Sequence, residues 1–198
     1  MTISGNLKWD KHITNICKKA NSTLAVLRRN VRVPSKSIKS TAYSALIRPH
    51  VEYCSSVWDP YTKHLTNKIE MVQRRSARWV FDSYRTGLNA TGSTEMIKQL
   101  NCPPPLETRR MVSRLCLMYK MANNLVLMPT RTLLIPYPYS TKSKPPHAFI
   151  PLDLYPPKLY FLNSFFPRTV AEWNGLPHSV AAAPSLEAFK SSVMTVVA

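Results

Sequence analysis

Three arginines at positions 74, 75 and 78 stand at i, i+1 and i+4 of one apolar-periodic stretch, and on a helix they spread three guanidinium groups over about one turn. Guanidinium is permanently charged and carries a planar fork of donors that matches phosphate oxygens, so this spacing suits a surface that follows a polynucleotide backbone. Glu70 lies four residues before Arg74 and could pair with it, which makes Arg75 and Arg78 the better candidates. The same kind of cluster recurs at Lys18 and Lys19, at Arg28 and Arg29 with Arg32, Lys36 and Lys39, and at Arg109 and Arg110 with Arg114. Any one cluster could equally be a solubilising face. Together they are one-sided: residues 1–125 hold 21 basic and 7 acidic residues, a net of +14, where a merely solvated surface mixes both signs.

Catalytic chemistry is poorly represented. Polymerase-type phosphoryl transfer needs two or three convergent carboxylates to hold a pair of divalent metals. The ten acidic residues stand mostly alone, without a D-D or D-x-D pair, and four glycines scarcely build a phosphate-cradling loop. His12, His50, His64, His147 and His178 show no i, i+4 pairing suited to a metal. Cys17, Cys54, Cys102 and Cys116 are too far apart for a zinc pattern and read as reduced thiols, mostly core filler. No cofactor is expected in this chain. A hydrolase with a dispersed Ser/His/Asp set would need a pocket of clustered titratable groups, and nothing in the sequence points to one.

The whole chain carries 27 Lys and Arg against 10 Asp and Glu, a net of +17, which asks for a polyanionic partner. A membrane is the weaker candidate, because no apolar run approaches the roughly 18–20 residues that span one. The first residues lack a basic stretch leading into an apolar one, so an intracellular location, nucleus or cytoplasm, is expected rather than secretion.

The elements that must position these cations are helical. Trp9, Ile13, Ile16, Ala20, Leu24 and Leu27 predict a helix over 9–29, with Lys11, Lys18 and Lys19 off its apolar stripe. Pro34 punctuates the chain and Ser35 suits an N-cap for a second helix over 36–48, which Pro49 should kink or end, with a short helical piece over 51–58. A third is predicted over 65–81 from Leu65, Ile69, Val72, Ala77 and Val80. A fourth follows Pro103, Pro104 and Pro105, with Met111, Leu115, Met118 and Leu125 on its apolar side. Trp9, Tyr43, Tyr53, Trp58, Trp79 and Trp173 lie on apolar stripes or at their ends, which favours core packing over base stacking.

Near residue 126 the texture changes to prolines and aromatics, and the net charge of the remainder falls to +3. Residues 148–150 and 159–161 could form a small hairpin, 167–173 a short helix beginning at Pro167, and 186–197 a last helix after Pro184 and Ser185.

Leu46, Arg48, Pro49, Glu52, Tyr53, Ser55, Trp58 and Pro60 spell L-x-R-P-x-x-E-Y-x-S-x-x-W-x-P, which resembles the signature just past the palm in LINE-type (non-LTR) retrotransposon reverse transcriptases of the jockey and chicken-repeat kind. Leu7 to Ile13 resembles the opening of their thumb, and residues 69–78 resemble its I-x-x-V-Q-R-R-A-A-R helix. Residues 164–169, 172–177 and 183–190 resemble the end of the same polyproteins. The resemblance spans nearly the whole chain. It implies a parent activity of RNA-directed DNA polymerase, with the fingers, the palm with its Ala-Asp-Asp turn, and magnesium lying outside this sequence. No catalytic residue is carried over.

The expectation is therefore a mainly α chain: residues 1–4 a remnant of the last palm strand, 5–125 a helical thumb-like bundle, and 126–198 a small irregular α+β region. It would bind RNA or an RNA–DNA duplex through backbone phosphates without catalysing. Trp9 and Ile13 should be exposed where the palm would sit, with self-association as a consequence. The rival is a truncated transposon relic that serves only as a protein-interaction or packing module.

Overall fold

A computed structural model describes residues 1–5, 8–32, 35–83, 92–100, 105–128, 133–141, 145–151 and 159–197, the side chains of 93, 94 and 160 aside. Of the residues singled out above, Leu7, Pro34, Cys102, Pro103 and Pro104 lie outside that set. The described part is mainly helical. In order come α1 (Asp10–Asn30), α2 (Lys36–Ala42), a π-helical turn (Tyr43–Ile47), α3 (Arg48–Glu52), α4 (Ser55–Trp58), α5 (Lys63–Val80) and α6 (Ser93–Gln99). They are followed by α7 (Leu106–Ala122), α8 (Leu159–Leu162), α9 (Phe165–Asn174), α10 (His178–Ala181) and α11 (Leu186–Val197).

α1 and α5 follow their sequence periods to within one or two residues, whereas α7 ends at Ala122 and leaves Leu125, expected on its apolar side, exposed. α1 turns Ile13, Cys17, Ala20, Leu24 and Leu27 inward, and α5 turns Leu65, Ile69, Val72 and Val80 inward. Ser35 caps α2, its hydroxyl accepting from the Ile38 N–H at 3.5 Å. Pro49, expected to kink or end the helix, does not end it. The π-helical turn before it absorbs the problem: Arg48 N–H reaches back five residues to the Tyr43 carbonyl, and the chain resumes as α3 with the proline in its first turn, where no donor is required. α3 then stops at Tyr53–Cys54, where Cys54 takes a left-handed conformation (φ 54°). Neither α6 nor α10 is among the helices expected from the sequence.

Two compact units divide the chain, Met1–Arg109 and Arg110–Ala198, so the division falls inside α7 rather than at residue 126, where the composition changes. In the first unit α1 packs on α5, on α3 and on the π turn, around a core that includes Ile13, Tyr43, Ile47, Trp58, Ile69 and Leu100. Ile13, expected to be exposed toward a missing palm, is fully buried, and Trp9 packs partly against the same core. α1 meets enough of its own unit to cover that face. Met1–Ser4, expected as a remnant strand, belongs to no regular element.

In the second unit Val112, Leu115, Met118 and Tyr119 of α7 pack with Val170 and Trp173 of α9 and Phe189 and Val193 of α11. Tyr119 stacks on Phe189 at 4.6 Å between centroids and donates its hydroxyl to the Ala183 carbonyl at 2.7 Å. Each such fully buried large side chain is worth roughly 1.5–3 kcal/mol. The expected hairpin is absent. Residues 159–161 belong to α8, and Ala148–Ile150 pairs instead with residues 135–137 through one antiparallel bridge, Pro136 to Phe149. The other edge of Phe149 is occupied by the Asn174 side chain, which accepts from its N–H at 2.9 Å and donates to its carbonyl at 2.8 Å. A side-chain amide thus replaces the second strand. Among the described residues no strand is formed, and the α+β expectation for this region is not met.

Candidate nucleic-acid interface

α1 and α5 meet along an edge of polar pairs in step. Lys68 Nζ donates to Thr14 Oγ1 at 2.8 Å, and two turns further on Arg75 Nη1 donates to Asn21 Oδ1 at 3.3 Å. A stride of seven residues on each helix keeps the pairs on one line, so the helices run in the same direction and the pairs lie about 10 Å apart. Between them Cys17 points its thiol toward the Lys68 carbonyl, and its burial pushes the thiol pKa up, which leaves it a neutral filler.

The two helices that form this edge carry a strong excess of positive charge. α1 carries Lys11, Lys18, Lys19, Arg28 and Arg29 against Asp10 alone, and α5 carries Lys63, Lys68, Arg74, Arg75 and Arg78 against Glu70 alone. Glu70 sends Oε1 to the Glu107 N–H at 3.1 Å, at the start of α7, where a carboxylate also meets the positive end of the helix dipole. Lys18, Lys19, Arg28, Arg29, Arg74 and Arg75 are exposed and Arg78 is half-buried. Lys68, Thr14 and Asn21 join this edge without having been candidates from sequence. A signal for Lys68 exists there, since it precedes Arg75 by seven residues on the same stripe.

The other sequence candidates separate by environment. Lys39 is not a surface cation: it is buried, and its Nζ lies 2.7 Å from both oxygens of Asp82. Lys36 is exposed with its ammonium over the Phe81 ring, 5.5 Å from the centroid. Arg29 and Arg32 each spend a donor on a carbonyl near the end of α1, Ala25 at 3.3 Å and Arg29 at 3.4 Å. They serve the helix terminus as well as the surface.

The cluster Arg109, Arg110 and Arg114 is buried, contrary to a basic-surface reading. In the first unit Glu52 accepts from Arg48 Nε at 2.8 Å and lies 2.6 Å from Arg109 Nη1, while Arg109 Nη2 donates to Gln73 Oε1 at 3.2 Å. In the second unit Glu172 lies 2.5 Å from Arg114 Nη2 and 3.4 Å from Arg168 Nε. Each unit therefore holds an Arg–Glu–Arg triad built on an i, i+4 Arg/Glu pair and one arginine of α7. Desolvation lowers the Arg114 pKa from its usual range, with Glu172 opposing and Arg168 adding to the shift.

Tyr53, expected in the core, is 77% exposed, and Cys54, expected as filler, is exposed beside it. His12 is buried against Trp58, ring centroids 5.2 Å apart, and its Nδ1 accepts from the Thr2 N–H at 3.3 Å. Desolvation lowers its pKa, with the Met1 ammonium acting the same way, so the ring is neutral at pH 7. Among the described residues no group of three or more His, Cys, Asp or Glu could hold a metal ion, and no helix is long and apolar enough to cross a membrane. No protein-family model, curated protein or solved structure matches the chain.

Proposed function

We propose that this chain is a non-catalytic polynucleotide-binding module that holds RNA or an RNA–DNA duplex by its phosphates along the α1–α5 face. The observation that carries the reading is the one-signed charge there: five cations on each helix, one carboxylate on each, and Glu70 turned toward α7. Cations spaced by helical turns bind backbone rather than bases, so little sequence preference is expected. The motif resemblance adds that the helices act as the thumb-like part of a LINE-type RNA-directed DNA polymerase, with fingers and palm on a separate stretch of the parent protein. It also sets the rival, a relic that only packs against other protein.

Filter binding of an RNA–DNA hybrid at several salt concentrations tests the proposal. Each phosphate that a variant no longer neutralises lowers the slope of log K against log salt by roughly 0.7–0.9, so Arg75→Gln with Arg78→Gln flattens it by on the order of 1.5 and weakens all sequences alike. An unchanged slope with folding verified by circular dichroism returns both arginines to a solvated face. Aggregation without salt-dependent affinity favours the packing module.

A further inference from the structure

The first unit contains a groove that the phosphate-binding reading does not use. Two adjoining cavities of about 440 and 340 Å³ run beside the first half of α1, sharing Met1, His12, Ile16 and Lys19 along their walls. These volumes fall within the roughly 300–1,000 Å³ of small-ligand sites. The first is bordered by Lys18 and Ser22, the second by His50, Tyr53 and Trp58. Among the described residues no carboxylate lines either. One wall is therefore cationic, the floor is apolar through Ile16 and Trp58, and the rim carries a flat aromatic ring.

We infer that this groove is a subsite for one unpaired nucleotide of the bound strand, its base on Tyr53 and its phosphate at Lys19, an inference that rests on the polynucleotide-binding reading above. Three observations converge on it. Tyr53 is 77% exposed between two helical turns, α3 and α4, which hold the buried Val51 and Trp58 and the exposed Val57. An uncovered aromatic face beside cations is the arrangement by which single strands are bound without sequence preference, because every base offers a π-face. Lys18 joins the groove to the α1–α5 face: it is exposed, lines the larger cavity and precedes Lys19 by one residue. A strand held on that face reaches the groove without leaving α1. His12, 7% exposed and common to both cavities, has an Nε2 without a hydrogen-bond partner. With Nδ1 accepting from Thr2, the neutral ring carries its proton on Nε2, a buried donor at the groove wall that has no partner within the chain.

A paired base is stacked inside its duplex and cannot enter, so the groove selects for an overhang. The experiment compares a blunt RNA–DNA hybrid with the same hybrid carrying a short single-stranded tail, by fluorescence anisotropy at fixed salt. The wild-type chain is expected to bind the tailed probe about tenfold more tightly, the scale of one base–aromatic stack. Tyr53→Ala, at an exposed position that leaves the core intact, removes this advantage and leaves blunt-hybrid affinity unchanged. Lys19→Gln reduces the advantage, whereas Arg75→Gln with Arg78→Gln weakens both probes equally. Equal wild-type affinity for the two probes, or a tail advantage that survives Tyr53→Ala, overturns the inference and leaves the phosphate-binding face standing. Failure to bind either probe overturns both. Tyr53-dependent binding of adenosine monophosphate without a tail preference reassigns the groove to free nucleotides and overturns the strand-bound form.

Discussion

Replacing Glu172 by Gln should destabilise the second unit by about 3 kcal/mol. Arg114 is 2% exposed and Glu172 18%, with 2.5 Å between Nη2 and Oε1, and Arg168 Nε stands 3.4 Å from the same oxygen. Glutamine preserves the shape and one acceptor but removes the negative charge between two guanidinium groups, one of which has almost no water to turn to. Removing one partner of a buried pair costs about 3–5 kcal/mol, and the retained acceptor puts this substitution near the lower bound. The exposed pair Lys98–Glu95, at 3.8 Å with side chains 67% and 54% exposed, is the internal control. Glu95→Gln should cost less than about 0.5 kcal/mol. Urea titration followed by circular dichroism gives the magnitude, and hydrogen exchange over α7 and α9 locates it. Arg114→Met with Glu172→Leu should return to within about 1 kcal/mol of the parent, because the penalty comes from a buried guanidinium deprived of its carboxylate rather than from the missing bond. A Glu172→Gln protein as stable as the parent, or a double variant as weak as the single, refutes the buried-triad reasoning.

Three further outcomes are expected. Ile13→Ala, at a position with no exposed surface, costs about 2–5 kcal/mol in urea titrations; a cost below about 0.5 kcal/mol would return Ile13 to an exposed palm-facing patch. His12 and His147 both have lowered pKa values, desolvation being the first cause in each, with His178 adding to the shift at His147. The unfolded chain therefore takes up their protons first: stability is full above about pH 6.5 and falls as the pH drops through that value toward the folded pKa values. The urea midpoint should decline from pH 7 to pH 5, and His12→Asn with His147→Asn should flatten the decline; an unaltered pH profile counts against it. Finally, pure chain with primed RNA template, dNTPs and Mg²⁺ or Mn²⁺ should extend no primer, and any templated incorporation contradicts the non-catalytic proposal.

The sequence by itself determined the long helices, because a 3.6-residue apolar period is a local property that survives any arrangement of neighbours. α1, α5 and α11 follow their stripes, α7 turns Leu115 and Met118 inward but ends before the exposed Leu125, and Ser35 caps α2 where its type and place predicted. It also determined the one-sided charge of α1 and α5, since five cations and one acid on a helix leave little room for neutral pairing within it. Tertiary structure decided which cations meet water. Arg74 and Arg75 are exposed, whereas Arg109, Arg110 and Arg114 look the same in sequence and are buried. The partners of Arg109 and Arg114 are Glu52 and Glu172, each more than fifty residues away in the chain. Lys39 is withdrawn in the same way by Asp82, 43 residues on. Tyr53 went the opposite way, from an apolar stripe to the surface, because Cys54 takes a left-handed turn that no neighbouring residue type announces. Residues 148–150 found a side-chain amide where a strand was expected, since a short apolar run specifies only that its backbone be satisfied and Asn174 does so at both ends. Period and composition are local and were legible; the choice of partner for a charge or a backbone group depends on residues that only folding brings together.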